Sequence, residues 1–351
     1  MKIFEIDRRI VTALRRLSTM MQAGPECSRT RVEPGRAAIG AVMHDRAPDG
    51  LVYDGYVRYL QKSREASGKP VVLCAARQGT GSDPKVAPLT HDGLPVLDGV
   101  VPFLRGVRGL MNYRDFLKRG SAKLPKVRKE AVDRWRVRLN EAGVLDEAES
   151  LAMLRDFGVE ASTATIVEGE AGLAACAAEL GYPLVLKTAM PGTNHKSDCG
   201  GVHLDLEDRD ALEVAYADLA ARLGPRALLS PMAPPGVEML LGARNDPQFG
   251  PVVLLGFGGV LAEVLGDTVF ALPPFSADEA RRRLSELRLR PLLAGVRGRP
   301  PVNVDAFCNM AARFSAMVHS LRDELEEIDL NPVITGTKRC IAVDALVVAR
   351  R

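Results

Sequence analysis

The chain has 351 residues, 46% of them hydrophobic and 26% charged, which is enough apolar content for a sizeable core and enough length for two or three compact units. A formal net charge of +3, from 47 Lys and Arg against 44 Asp and Glu, gives no reason to expect nucleic acid or an anionic membrane as a partner. Six scattered cysteines form no CxxC pair or zinc-like spacing and are expected to be reduced thiols of a cytoplasmic protein, and no apolar run approaches the length of a membrane span.

Residues 1–50 hold one amphipathic stretch, 8–21, and a Gly-, Pro- and Arg-rich piece with no clear period. Charges interrupt the apolar positions of the N-terminus, so no secretion signal is predicted. From residue 51 the pattern sharpens. An amphipathic helix over 53–66 leads through Gly68 and Pro70 into the apolar run VVLCAA, read as a buried strand. A Gly/Ser/Asp-rich loop over 78–84, the strand LPVLDG and a helix over 101–118 complete what looks like half of a parallel α/β domain, spanning 51–120. His91, in this stretch, is read as structural.

The next piece is strongly basic, with Lys118, Arg119, Lys123, Lys126, Arg128, Lys129, Arg134, Arg136 and Arg138, and a solvated linker is expected over 121–145. A new unit, 146–351, then begins. A helix over 147–157 ends at Gly158 in a C-cap position. A strand, a helix over 171–180 and the strand PLVLK follow in α/β order.

Chemistry-bearing residues concentrate in this last unit. Lys187 ends an apolar strand, where its stem can lie along the core while the ammonium meets a phosphate. The segment NHKSDCGGVHLDL offers His195, Lys196 and a Gly-Gly turn whose backbone N–H groups can approach an anion. Glu238 sits on a strand after a Pro-rich connection. The strand PVVLL runs into GFGG, which is neither GxGxxG nor a P-loop. Finally, EEIDLNPV puts Asp329 and Asn331 two apart on one strand, hence on one face, and a returning strand brings Asp344 near. Asn and Asp oxygens on paired strands suit Mg²⁺ carrying a triphosphate. His203 and His319 are read as structural, and Met232 as a candidate for an adenine slot or for core.

The order GYPLVLK, HKSDxGGV, GxE, DPxFGP, GxGG, GxRG and ExDxNP, from Gly181 to Pro332, resembles the ATP-grasp domain of the NDP-forming acyl-CoA synthetases (acetate–CoA ligase, ADP-forming), relatives of succinyl-CoA synthetase. The resemblance runs from Leu151 to Val348. It implies an α/β protein whose C-terminal ATP-grasp fold, two α+β lobes, follows a partial flavodoxin-like (succinyl-CoA-ligase-like) segment. Carried over by motif, Lys187 holds nucleotide phosphates, Glu238 contacts the nucleotide, and Asn331 with Asp344 ligates Mg²⁺. Gly256, Gly258 and Gly259 wrap the transferring phosphate and Arg297 neutralises it. His195 resembles the second phosphoryl acceptor of some members, and Asp329 the acid that orients a phosphohistidine.

The implied chemistry interconverts carboxylate, CoA and ATP with acyl-CoA, ADP and phosphate by way of a phosphohistidine. Family members also carry a CoA-binding Rossmann domain and an SHTG-type phosphohistidine motif, which are not found in these 351 residues. A partner subunit supplying CoA binding and the phosphohistidine, in a hetero-oligomer, is therefore expected. Two readings stand behind this one: a catalytically silent nucleotide-binding regulatory or interaction protein, and an independent ATP-grasp carboxylate ligase.

Overall fold

The computed structural model of the chain describes residues 40–44, 54–68, 71–75, 83–118, 122–192, 196, 199–259, 266–296 and 298–350. The amphipathic stretch at 8–21 and most of the 78–84 loop lie outside the described residues. The chain divides into two compact units, 1–120 and 121–351.

In the first unit, the elements in chain order are β1 (Gly40–His44), α1 (Asp54–Ser67), β2 (Val71–Ala75), α2 (Val86–His91), β3 (Val96–Asp98) and α3 (Val100–Leu117). The strands form a parallel sheet in the order β1-β2-β3. Alternation along β2 buries Val71 and Leu73 with Leu60 and Leu89 on one side, and Cys74 with Phe103 on the other. Both faces of a parallel sheet are covered by helices, which is why VVLCAA is apolar throughout and not alternating.

The second unit opens with α4 (Lys129–Glu141), β4 (Val144–Leu145) and α5 (Glu147–Asp156). Helix α4 differs from the solvated linker expected over 121–145. Ala131, Trp135 and Leu139 recur one helical turn apart and are buried, Trp135 and Leu139 in the main core. Its three arginines are paired: Arg134 with Asp156, Arg136 with Glu324 at 2.6 Å, and Arg138 with Glu149 at 2.8 Å. The narrow apolar stripe is hidden in sequence by charges whose partners come from other elements. Helix α5 starts where its residues say it should: the Asp146 side chain accepts a hydrogen bond from the Glu149 N–H at 2.9 Å, and Gly158, at φ 73°, follows its end.

Next come β5 (Thr165–Glu168), α6 (Glu170–Leu180), β6 (Leu184–Thr188), β7 (Val202–Leu206), α7 (Arg209–Leu223) and β8 (Arg226–Pro231). They build one lobe, an antiparallel sheet in the order β5-β8-β6-β7. Helices α6 and α7 cover one face through Leu173, Leu184, Leu186, Leu212, Leu219 and Leu229.

The other lobe adds β9 (Val237–Asp246), β10 (Gly250–Phe257), β11 (Thr268–Ala271), α8 (Ala277–Leu284), α9 (Val304–Ser320), β12 (Leu325–Thr335), β13 (Cys340–Ala342) and β14 (Leu346–Ala349). Its sheet runs β11-β10-β9-β12-β14-β4, with β13 paired to β12. One face carries the main core, including Met239, Leu241, Phe257, Phe314, Ile328 and Leu330. These are the two α+β lobes that the motifs imply. Among the described residues no helix is long and apolar enough to cross a membrane.

Candidate functional site

The period-2 alternation of a strand decides which side chains leave the core of the large sheet. Along β12, Ile328, Leu330 and Val333 are buried in the core, so Glu327, Asp329 and Asn331 project from the opposite face. On β9, Met239, Leu241 and Ala243 take the core face, leaving Glu238 exposed on the other. Register places Asp329 opposite Gly242. A Cβ built at Gly242 would lie 3.5 Å from Asp329 Oδ1, so the carboxylate rests over bare backbone.

The glycine run after β10 folds back onto these strands. The Gly258 N–H donates to the Glu238 carbonyl at 2.9 Å, and the Gly259 N–H to Asn331 Oδ1 at 3.1 Å. Gly259 has φ 59°, and a Cβ there would lie 1.8 Å from Glu238 Oε2. Only glycine fits both the left-handed backbone and the carboxylate above it. Glu238, Gly258, Gly259 and Asn331 thus form one cluster. Gly256 is used differently: its missing Cβ admits Thr268 and the Asp267 carbonyl of the neighbouring strand connection.

Lys187 reaches the large lobe from the small one. Leu184 and Leu186 belong to the core under α6 and α7, so the alternation of β6 turns Lys187 to the other face. It does not snorkel to water but is 6% exposed. Its Nζ donates to Glu147 Oε1 at 2.6 Å, to the Val343 carbonyl at 2.9 Å and to Asp344 Oδ2 at 3.0 Å. Burial alone would pull its pKa down, but the carboxylates of Asp344 and Glu147 outweigh it and hold the ammonium above its ordinary value. Lys196 caps the other oxygen of Glu147.

The two clusters adjoin. The Val343 N–H donates to the Pro332 carbonyl at 3.2 Å, tying the segment of Asp344 to the residue after Asn331. Burial first, then the charges of Glu327 and Asp344, push the Asp329 carboxyl up to about 6. Negative charge is in surplus along this face. Among the described residues no group of three His, Cys, Asp or Glu side chains forms a metal cage; Mg²⁺ carrying a nucleotide typically takes only one or two carboxylates, with phosphates and water completing its shell.

Lys187 and Asp344 thus meet across the two lobes, while Glu238, Gly258, Gly259 and Asn331 cluster on the large sheet, with Asp329 on the same face as Asn331. His195 and Arg297 lie outside the described residues. Glu327 is the first residue of the ExDxNP motif but was given no role, and Glu147 carries no motif that would have singled it out. An acid in the first turn of a helix is commonplace, and Glu147 is 40 residues from Lys187.

The ATP-grasp domain family matches residues 136–349, starting inside α4. Acetate–CoA ligase [ADP-forming] I subunit beta of Pyrococcus furiosus is 32% identical over 209 residues, covering 57% of this chain and 90% of that protein. The chain belongs to the ATP-grasp family of the ADP-forming acetate–CoA ligases. A trans-feruloyl-CoA synthase from an unknown prokaryotic organism is 36% identical over 331 residues, 90% of this chain. The chain spans 45% of that relative's length. Among solved structures, acetyl-coenzyme A synthetase 1 of Ca. Korarchaeum cryptofilum, in complex with coenzyme A, Ca-AMPCP and HgCl+, superposes with a TM-score of 0.58 at 32% identity, covering 62% of this chain and 98% of that one. A second form of that synthetase, with coenzyme A and Mg-AMPPCP and its phosphohistidine segment pointing towards the nucleotide site, gives a TM-score of 0.55 at 32% identity, covering 63% of this chain and 100% of that one.

Proposed function

We propose that the chain is the ATP-grasp component of an ADP-forming acid–CoA ligase, binding MgATP or MgADP between the two lobes of its 121–351 unit. The observation that carries this reading is the meeting of Lys187, from the small lobe, with Glu147, Val343 and Asp344 of the large one, beside the oxygen-rich face of β12. A buried ammonium facing surplus carboxylates is the division of charge that a magnesium-bound triphosphate requires. The neighbour that binds Mg-AMPPCP supports it.

Lys187 holds phosphate oxygens, and Glu238, beside the glycine turn, contacts the nucleotide. Asn331 and Asp344 would hold Mg²⁺, which when bound neutralises charge across the phosphates; the donors are hard oxygens, and the elevated Asp329 carboxyl marks a face that a cation relieves. The backbone of Gly256, Gly258 and Gly259 borders the transferring group, and Arg297 neutralises it. His195 is the phosphoryl acceptor on this chain, with Asp329 orienting a phosphohistidine imidazole. A charged ammonium at Lys187 withdraws electron density from the phosphoryl oxygens as the group leaves nucleotide oxygen for imidazole nitrogen.

The whole reaction converts carboxylate, CoA and ATP to acyl-CoA, ADP and phosphate, and a partner subunit brings the CoA site and principal phosphohistidine. The location proposed is the cytoplasm. The test has two arms. Calorimetric titration of the chain with MgADP should show binding that Lys187→Met abolishes. Mixed with a CoA-binding partner chain, it should form acyl-CoA only when ATP, CoA and a carboxylate are all present. A heat-silent titration of the wild-type chain refutes the reading.

A further inference from the structure

Glu147 opens helix α5, yet its side chain is only 5% exposed. Asp146 already caps that helix, so the buried carboxylate does not serve its start. Its oxygens are divided between two cations: Oε1 accepts from Lys187 at 2.6 Å and Oε2 from Lys196. An ammonium has three donors, and those of Lys187 are spent on Glu147, the Val343 carbonyl and Asp344. Before Lys187 can bind a phosphate, one of these bonds must open. Asp344 is the partner free to leave, since its side chain is 35% exposed against 5% for Glu147. Glu147 then remains between two lysines, leaving one net positive charge directed at the nucleotide.

We propose that Glu147 is the positioning residue of the nucleotide site: it fixes Lys187 and Lys196 as a pair and holds Lys187 while Asp344 gives up the ammonium, leaving Lys187 for the phosphate and Asp344 for the cation the phosphate carries. The inference rests on the nucleotide-binding reading above and assigns regulation of that same site. Without the Glu147 charge, Lys187 has Asp344 as its one remaining carboxylate. Their pairing tightens, and both groups become harder to recruit to Mg²⁺ and phosphate. Lys196 meanwhile loses the acceptor that holds it beside Lys187.

The experiment is calorimetry on the full chain with AMP, MgADP and Mg·AMPPCP, for wild type, Glu147→Gln, Lys196→Met and the double variant. Glu147→Gln should weaken Mg·AMPPCP about tenfold, the scale of one charge-assisted hydrogen bond, while AMP affinity moves by less than about twofold. Lys196→Met, at a side chain 21% exposed, should show the same dependence on phosphate number. Because both act through one carboxylate, the double variant should lose less than the two single losses combined. Equal losses for AMP and Mg·AMPPCP indicate a merely structural Glu147 and overturn the inference. So does unchanged Mg·AMPPCP affinity in both single variants, with wild-type binding intact. Failure of the wild-type chain to bind any of the three overturns the nucleotide reading itself and this inference with it.

Discussion

Asp329→Asn should make the protein more stable at neutral pH, and the gain should vanish in acid. The folded protein raises this carboxyl from 3.8 to about 6. Between those values the native state keeps a proton that the unfolded chain has released. The penalty is therefore absent in strong acid, grows as pH rises through that window, and is complete above it. A displacement of this size corresponds to about 3 kcal/mol against the ionised form. Asp329 is half-buried, and solvent screening trims the figure to about 1–2 kcal/mol. Asparagine keeps the shape and removes the charge. At about pH 8 the variant should melt about 2–8 °C above wild type, and at about pH 4 the curves should converge. Scanning calorimetry without added metal, at a series of pH values, measures the gap. Adding Mg²⁺ should narrow it by raising the wild-type curve, because a cation relieves the same surplus. A variant less stable than wild type at alkaline pH, or a gap indifferent to pH, refutes the reasoning.

Removing Lys187 should have the opposite sign. Lys187→Met strips Asp344 and Glu147 of their shared partner, although Lys196 stays on Glu147, and about 2–4 kcal/mol should be lost in chemical denaturation. Gly259→Ala forces a side chain into a left-handed position already filled by the Glu238 carboxylate. It should cost about 1–3 kcal/mol of stability and displace Glu238, read as weaker MgADP binding in calorimetry. Trp135→Ala tests whether α4 is part of the fold: a 7% exposed Trp in the main core, its Nε1 donating to Asp156 at 2.7 Å, should cost about 3–5 kcal/mol in the same denaturation assay. A solvated linker would lose almost nothing.

Much of this protein was legible in sequence because the signal was local. Two-residue spacing is enough to put Asp329 and Asn331 on one face of β12. Gly158 marks the end of α5 by backbone chemistry confined to a few residues, and the short motifs from Gly181 to Pro332 were sufficient for the family. Helix α4 was misread because its apolar stripe of three residues lies among cations, and the acids that neutralise them, Asp156, Glu324 and Glu149, arrive from α5 and from the segment before β12. The Glu147–Lys187–Asp344 chain was beyond any spacing rule: its members are separated by 40 and 157 residues. Propensity, capping and alternation act over a turn or a pleat and can be read one segment at a time. Which charges meet in the interior depends on how two sheets and their helices pack, and only the tertiary structure decides it.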